Sequence, residues 1–379
     1  MKFISKEKNL RGKIVLLRAD LNSNYVRGRV LMSERIRETA DTIKYLKKKR
    51  AKIVIIAHQG RPNRNDCVSM KNHARLLSVF TKVKFVDSLF TEPALRAIEN
   101  LKEGGAILLE NLRMYKEEYK LGKNKMVGNL SKWCDYYVND AFSNSHRKHA
   151  SMVSLPMEMK KNSYAGPLVE EELNALKKIK VKNALYILGG AKPKDDIKLL
   201  GKNKVLACGL FGQMCIISRG KNLGAQNKYL RKLVGDYRKI LRKLRKKQNN
   251  VIVPVDFGVK VRRRRQDFNL SYFPNKYEIF DIGPATVELF LSEIRKASVI
   301  YMKGPVGDFS SKGFESGTFK ILREIAKSKA FSLIGGGHLS DAINLAKINK
   351  NNFSHVSLSG GALLGYIAGE KLPGLEVLK

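Results

Sequence analysis

Acidic residues are scarce in this chain. Only 34 Asp and Glu stand against 73 Lys and Arg, a formal net charge of +39 over 379 residues. Such an imbalance sets up a positive field and favours anionic ligands, nucleic acid or acidic surfaces. Cysteine is sparse too: Cys67, Cys134, Cys208 and Cys215 are scattered, with no Cys-x-x-Cys pair. Neither a disulfide framework nor a zinc site is indicated, and reduced thiols acting as small apolar fillers are expected. No apolar run reaches the roughly eighteen residues of a membrane-spanning helix, and Met1-Lys2-Phe3-Ile4-Ser5-Lys6 has no signal-peptide core. A soluble cytoplasmic protein is expected. No Gly-x-Gly-x-x-Gly opens a helix after a strand, which argues against a dinucleotide oxidoreductase.

What is present is a 43% apolar chain too long for one ordinary core, so two domains are expected. In the first half, short apolar strands (13–17, 52–57, 84–86, 106–109, 136–138) alternate with helices, among them 34–48 with Ile36, Ala40, Ile43 and Leu46 on one face. That alternation predicts a parallel sheet covered on both faces, with ligands outside the carboxyl ends of the strands. Four strand ends are each followed by an arginine: Arg18, Arg61, Arg113 and Arg147. Singly each is an ordinary loop residue. Four at one topological position predict a cup for a multiply anionic small molecule, because the guanidinium fork binds phosphate and carboxylate bidentately.

Ala165-Gly166-Pro167 breaks the pattern and starts a helix over 168–180, with Glu170, Glu171 and Glu172 in its first turn and Lys177, Lys178 and Lys180 in its last, as the helix dipole favours. It is read as the connector between domains. Beyond it, glycines take the place of arginines at strand ends: Gly189-Gly190 with Lys192, Gly209 and Gly212, Gly283-Pro284, Gly304-Pro305 with Gly307, Gly335-Gly336-Gly337-His338, and Gly360-Gly361. Bare backbone on a sheet rim admits a nucleotide. Leu185-Tyr186-Ile187-Leu188-Gly189-Gly190-Ala191-Lys192-Pro193 reads as a buried strand turning into a helix, where amides and one lysine can hold phosphate. The densest basic stretch, 228–247, places Leu230, Val234, Ile240 and Leu244 at helical spacing and reads as one surface helix docked on a core rather than an RNA-binding helix, since no aromatics interleave with the charges. Arg262-Arg263-Arg264-Arg265 is read as a solvated loop.

The motifs, taken together, resemble phosphoglycerate kinase along essentially the whole chain: Arg18-Ala19-Asp20-Leu21-Asn22, His58-Gln59-Gly60-Arg61-Pro62, Glu110-Asn111-Leu112-Arg113, Asn139-Asp140-Ala141-Phe142 with His146-Arg147, Leu188-Gly189-Gly190-Ala191-Lys192, Pro254-Val255-Asp256, Gly304-Pro305-Val306-Gly307, Gly335-Gly336-Gly337 and Ser354-His355-Val356-Ser357. The resemblance, closest to the archaeal branch, implies an α/β fold of two Rossmann-like domains with parallel β-sheets facing a cleft and joined by a hinge helix. The implied boundaries are a phosphoglycerate-binding domain at 1–164, the helix at 165–180, a nucleotide-binding domain at 181–365, and a C-terminal segment at 366–379 returning to the first domain.

It further implies reversible phosphoryl transfer between 1,3-bisphosphoglycerate and Mg-ADP, giving 3-phosphoglycerate and ATP in glycolysis and gluconeogenesis, with Mg2+ bound with the nucleotide and no dedicated metal site. Carried over residue by residue, Asp20, Leu21, Asn22, Arg35, His58, Gln59, Gly60, Arg61, Arg113 and Arg147 bind the phosphoglycerate. Gly189, Gly190, Lys192, Gly209, Gly304, Pro305, Ser310, Gly335, Gly336, Gly337 and His338 bind the nucleotide, and Arg35, Lys192, Gly336 and Gly360 act on the migrating phosphoryl group. A monomer without a membrane partner is expected, with nucleic acid the less favoured use of the basic charge. The alternative is a non-catalytic descendant that binds phosphoglycerate, nucleotide or RNA. Departures cluster in the nucleotide half: Asp196 where many members have a second lysine, Ser310 for glutamate, Lys303 for asparagine, and His338 for aspartate.

Overall fold

A computed structural model describes residues 1–179, 183–201 and 203–379. It comprises two compact units, Met1–Leu173 with Gly369–Lys379, and Asn174–Ala368.

The first unit is built on a six-stranded sheet in the order Lys84–Phe85, Ala106–Leu108, Lys52–Ile56, Ile14–Arg18, Tyr136–Asn139, Ser163–Ala165, every neighbouring pair parallel. The two central strands, Ile-Val-Leu-Leu-Arg and Lys-Ile-Val-Ile-Ile, are apolar without alternation because a parallel sheet is covered on both faces. Helix Glu34–Lys48 supplies part of that cover, turning Ile36, Ala40, Ile43 and Leu46 onto Leu17, Ile53 and Ile55 in one core. The first strand runs one residue further than its apolar pattern, to Arg18, which stays in register with Ile56 and Asn139. A ladder needs only main-chain groups, so a polar residue can extend it.

The second unit repeats the arrangement with the order Val251–Ile252, Lys204–Ala207, Leu185–Leu188, Val299–Lys303, Phe331–Gly335, His355–Ser357, again all parallel. A separate antiparallel sheet pairs Asp256–Val261 with Arg264–Asn269 and Ile279–Ile282. Gly283-Pro284 therefore leaves this small sheet, not the parallel rim, and starts helix Pro284–Lys296, whose Ala285 and Thr286 amides donate to Asp256. The basic stretch 228–247 is two helices rather than one, Ala225–Leu233 and Tyr237–Arg245, broken at Asp236, which adopts φ +59. The first helix ends at Leu233 with Val234 extended, left-handed Asp236 caps the start of the second, and Leu230, Val234, Ile240 and Leu244 all stay buried. Arg262 and Arg263 form a tight hairpin turn at φ +44 and +67, and Arg265 is drawn inward to Asp281 at 2.8 Å, so this run is not a solvated loop.

Helix Pro167–Ile179 follows the first sheet, and the division between units falls within it; Lys180 lies outside the described residues. Its start is fixed by buried Asp140, which accepts from the Leu168 amide at 2.8 Å and the Thr42 hydroxyl at 2.6 Å. Near the C-terminus, Leu372, Leu375 and Leu378 are buried, the Gly374 amide donates to the Ser145 carbonyl, and its carbonyl accepts from Asn139 Nδ2.

Burial, opposed by those hydrogen bonds, pushes the Asp140 carboxyl up to about 6. Since the folded protein then holds a proton that the unfolded chain releases near pH 4, the stabilising contribution is complete below about pH 4 and lost as pH rises through about 6. Asp140→Asn is thus expected to gain stability relative to the parent as pH increases over that window, measured as the difference in chemical-denaturation midpoints; a difference independent of pH contradicts the assignment.

Candidate active site

Three of the four arginines expected at one rim of the first sheet do assemble. Arg147 lies within electrostatic reach of both Arg61 and Arg113, and Arg18 acts on Arg113 and Arg147. Burial, then repulsion from Arg147, lowers the Arg113 guanidinium to about 10, which still leaves it a cation at neutral pH. Among the described residues none of Arg61, Arg113 and Arg147 forms a salt bridge, and Nε of Arg147 is buried without a hydrogen-bond partner. The Arg113 Nη1 donates to the Gly60 carbonyl, tying the two loops together.

Arg18 differs from the expectation: it is buried below this cluster, not presented on the rim. Its Nε donates to Ser151 Oγ at 3.1 Å and its Nη1 to the Ala19 carbonyl at 2.5 Å, while Nη2 lies 3.2 Å from His58 Nδ1. Ser151 is in turn held by fully buried Glu118, through its amide at 2.9 Å and its hydroxyl at 2.7 Å. Arginine has only donors, so Nδ1 of His58 must be its acceptor, and the proton of the neutral ring sits on Nε2. Burial, followed by the charges of Arg18, Arg113 and Arg147, holds the imidazole well below its usual range. His58 is a neutral hydrogen-bond donor in the middle of a cationic cluster.

The loop after Lys52–Ile56 is set by Asn111, whose Nδ2 donates to the Gln59 and Val68 carbonyls and whose Oδ1 accepts from the Gln59 and Arg113 amides. Gly60, at φ +72, makes the turn possible: a β-carbon there would lie 2.1 Å from the Asp66 carbonyl oxygen. Its amide donates to Asn22 Oδ1 at 2.8 Å. Gln59 is buried, with its amide group committed to Ser23 and His73, and Leu21 is part of the apolar core. Both therefore shape the loops and direct no side chain at a ligand. Asp20 receives Arg35 and the Ser143 hydroxyl, and Arg35 also reaches Ser143 Oγ at 3.3 Å.

In the second unit, strand ends close on each other through backbone alone. The Gly189 amide donates to the Lys303 carbonyl at 2.8 Å, Gly190 to Pro305 at 2.9 Å, and Gly209 to Val306 at 2.9 Å. A β-carbon on Gly189 would meet the Pro305 oxygen at 2.4 Å, and one on Gly304 the Gly189 oxygen at 2.4 Å. Beside these loops lies a cavity of about 620 Å³, a size suited to a small ligand. Gly190, Gly209, Pro305, Ser310 and His338 line it, as expected, together with Tyr229, Phe280, Phe309, Gln213, Asp308 and Asp341, which were not. Of the remaining expected residues, Lys192 is exposed at the cap of helix Pro193–Asp196, Gly336 and Gly360 cap helices Gly337–Leu345 and Gly361–Ile367, and Gly335 packs beneath Leu363. Among the described residues no group of three or more His, Cys, Asp or Glu side chains could hold a metal ion.

The chain carrying these two sites matches known proteins over nearly its whole length. The family model for phosphoglycerate kinase covers residues 5–370. The chain belongs to the phosphoglycerate kinase family. Its relatives include the phosphoglycerate kinase of Archaeoglobus fulgidus, 37% identical over 394 residues spanning 97% of this chain and 94% of that one. That of Thermococcus kodakarensis is 37% identical over 400 residues, with 97% and 95% covered. The crystal structure of phosphoglycerate kinase from Pyrococcus horikoshii OT3 superimposes with a TM-score of 0.91 at 34% identity over 100% of this chain and 98% of the other. Family membership makes the protein a transferase that moves a phosphoryl group with a carboxyl group as acceptor. No helix among the described residues is long and apolar enough to cross a membrane.

Of what sequence reasoning missed in this phosphoglycerate kinase fold, Gln213, Tyr229 and Asp341 sit on helices, Phe280 on a strand, and Asp308 and Phe309 just after the Gly304–Gly307 motif. Gln213 left one signal, as a polar residue buried within the apolar helix Gly209–Ser218. Glu118 and Ser151 left none, although they carry Arg18. Removing one partner of a buried charged network strands the other, at a cost of about 3–5 kcal/mol. Glu118→Ala is accordingly expected to lower stability by about that much, read from denaturant midpoints; a loss under roughly 1 kcal/mol would show that Arg18 does not depend on it.

Proposed function

We propose that the first unit binds 3-phosphoglycerate or 1,3-bisphosphoglycerate, that the second binds Mg-ADP or Mg-ATP, and that the reaction is direct transfer of the acyl phosphate to ADP. The observation that carries this reading is the cluster of Arg61, Arg113 and Arg147, which among the described residues forms no salt bridge to a carboxylate. An anion entering such a cluster relieves its repulsion, and a compound carrying both phosphate and carboxylate is the family's substrate class. Asn22 and the Nε2–H of His58 supply neutral hydrogen bonds, so the substrate's hydroxyl and carboxylate can be oriented without further charge.

The chemistry asks for little else. In-line phosphoryl transfer needs positioning, exclusion of water and positive charge around three equatorial oxygens, and no side-chain nucleophile. A histidine kept neutral and locked to Arg18 is unsuited to act as a base near pH 7. Arg35 and Lys192 are assigned to the charge that develops on the migrating group, with the amides at Gly336 and Gly360 assisting. In the cavity, aromatic Phe280, Phe309 and Tyr229 suit a base, and Asp308, held by Ser310 and Ser311 at 2.5 and 2.7 Å, suits the ribose hydroxyls in place of a glutamate at 310. Asp341 is the cavity carboxylate that would hold a magnesium ion carried in on the nucleotide, an ion that keeps several waters and takes only one or two protein ligands. When bound, the ion would supply positive charge to the phosphate chain.

Purified protein supplied with Mg-ADP and 1,3-bisphosphoglycerate is expected to form ATP. Arg35→Ala and Lys192→Ala should each reduce kcat by roughly 10²–10³ with much smaller changes in KM, because their contacts strengthen as charge develops. Arg113→Ala should instead raise KM for phosphoglycerate. Intact turnover in both the Arg35 and Lys192 variants would refute their roles.

A further inference from the structure

Asp196 is a buried acid that the transfer mechanism leaves unused. It ends the short helix Pro193–Asp196, one turn beyond Lys192, and is fully buried. One carboxylate oxygen receives the Lys303 ammonium, and Oδ2 has no hydrogen-bond partner. Lys303 closes strand Val299–Lys303, its carbonyl accepts the Gly189 amide, and Gly304 and Pro305 follow it directly. The ion pair thus links the two segments whose glycines wall one end of the cavity. Around Asp196, the groups that bear on it are Lys303, the like-charged Asp195, and the thiols of Cys208 and Cys215, which burial keeps protonated. Lys303 is the cation among them, its side chain is 17% exposed, and its partner is only half satisfied.

We propose that Asp196 and Lys303 are positioning residues for the nucleotide: Asp196 stores the Lys303 ammonium beside the glycine loops and yields it to the phosphate chain of the bound nucleotide. The inference rests on the nucleotide reading of this cavity. A phosphate chain carries more than one negative charge and accepts several hydrogen bonds, so it outcompetes a single carboxylate, and the vacated Asp196 then takes up a proton. Burial, opposed by Lys303, already pushes Asp196 up to about 7. Below that pH the acid is neutral and the ammonium is free for phosphate; above it the carboxylate competes. Asp196 therefore makes nucleotide affinity fall as pH rises through neutrality.

Calorimetric titration with Mg-ADP and steady-state kinetics for both substrates, each between about pH 6 and about pH 8, test this directly. Relative to the parent, Asp196→Asn should bind Mg-ADP more tightly at the high end and equally at the low end. Lys303→Met should weaken Mg-ADP by about tenfold with KM for phosphoglycerate unchanged, and Lys303→Arg should recover most of that loss. Should Asp196→Asn fail to fold, carbon-13 titration of aspartate carboxyls in the parent decides instead: a group titrating near neutrality should shift upward on adding Mg-ADP. A parent-like pH profile in Asp196→Asn, equal effects of Lys303→Met on both substrates, or a carboxyl midpoint unmoved by Mg-ADP overturns the proposal. Failure of the unsubstituted protein to bind Mg-ADP overturns the nucleotide reading beneath it.

Discussion

The first unit depends on keeping like charges together. Guanidinium groups repel, and an exposed cluster would simply splay into solvent. Here the backbone prevents it: Asn111 locks the loop of Gln59 and Gly60, the Gly60 carbonyl holds Arg113, and Arg18 is anchored by Ser151 and Glu118 below. The repulsion is a preorganisation cost met during folding, so that a phosphorylated acid entering the site relieves it instead of having to gather the charges itself. Neutral His58 fits the same logic. A charged imidazole would add a further cation where Arg18, Arg113 and Arg147 already crowd, and its Nδ1 is needed as an acceptor for Arg18.

The second unit meets the opposite requirement with the opposite material. Gly189, Gly190, Gly209 and Gly304 approach so closely that a β-carbon on Gly189, Gly209 or Gly304 would collide with a neighbouring main chain. The resulting wall is dense in amides and poor in side chains, with Lys192 and the Asp196–Lys303 pair beside it. The two positions of that pair are also two of the places where the chain departs from the family pattern. They are in direct contact, so the Lys303 ammonium beside the glycine loops is balanced by the Asp196 carboxylate.

Sequence reading succeeded where physics is local. Apolar runs without alternation located five of the six strands of the first sheet to within about a residue, missing Ser163–Ala165, and glycines at strand ends located one wall of the cavity. It failed where the third dimension decides. Arg18 follows the same strand-end rule as Arg113, yet one more residue of ladder turns it inward, and nothing in Leu16-Leu17-Arg18-Ala19 distinguishes the two outcomes. Gly283 carries the glycine-proline signature of the rim but belongs to the small antiparallel sheet, because Asp256 captures the helix that follows it. The unbroken periodicity of 228–247 hid a left-handed Asp236, since two helices docked on one core keep their buried residues in phase.

The scarcity of acids acquires a structural meaning from where the buried ones are. Asp140 and Asp256 each fix the start of a helix, Glu110 gathers the Met70 and Asn111 amides, and Glu118 secures Ser151 beneath Arg18. Asp281 holds Arg265 and the Gly317 amide, and Asp196 holds Lys303. Each accepts from donors that would otherwise be buried unsatisfied, a role that lysine and arginine, having no acceptor, cannot fill. Surface acids carry no such burden, because exposed ion pairs contribute little. A chain drifting toward positive charge can therefore shed acids from exposed faces such as helix Tyr237–Arg245 at small cost, while these six remain fixed by the fold. The excess charge is in that sense a property of the solvent-facing surface, and the long-range field it generates draws anionic substrates toward a site whose cations are positioned mainly by main-chain and neutral groups.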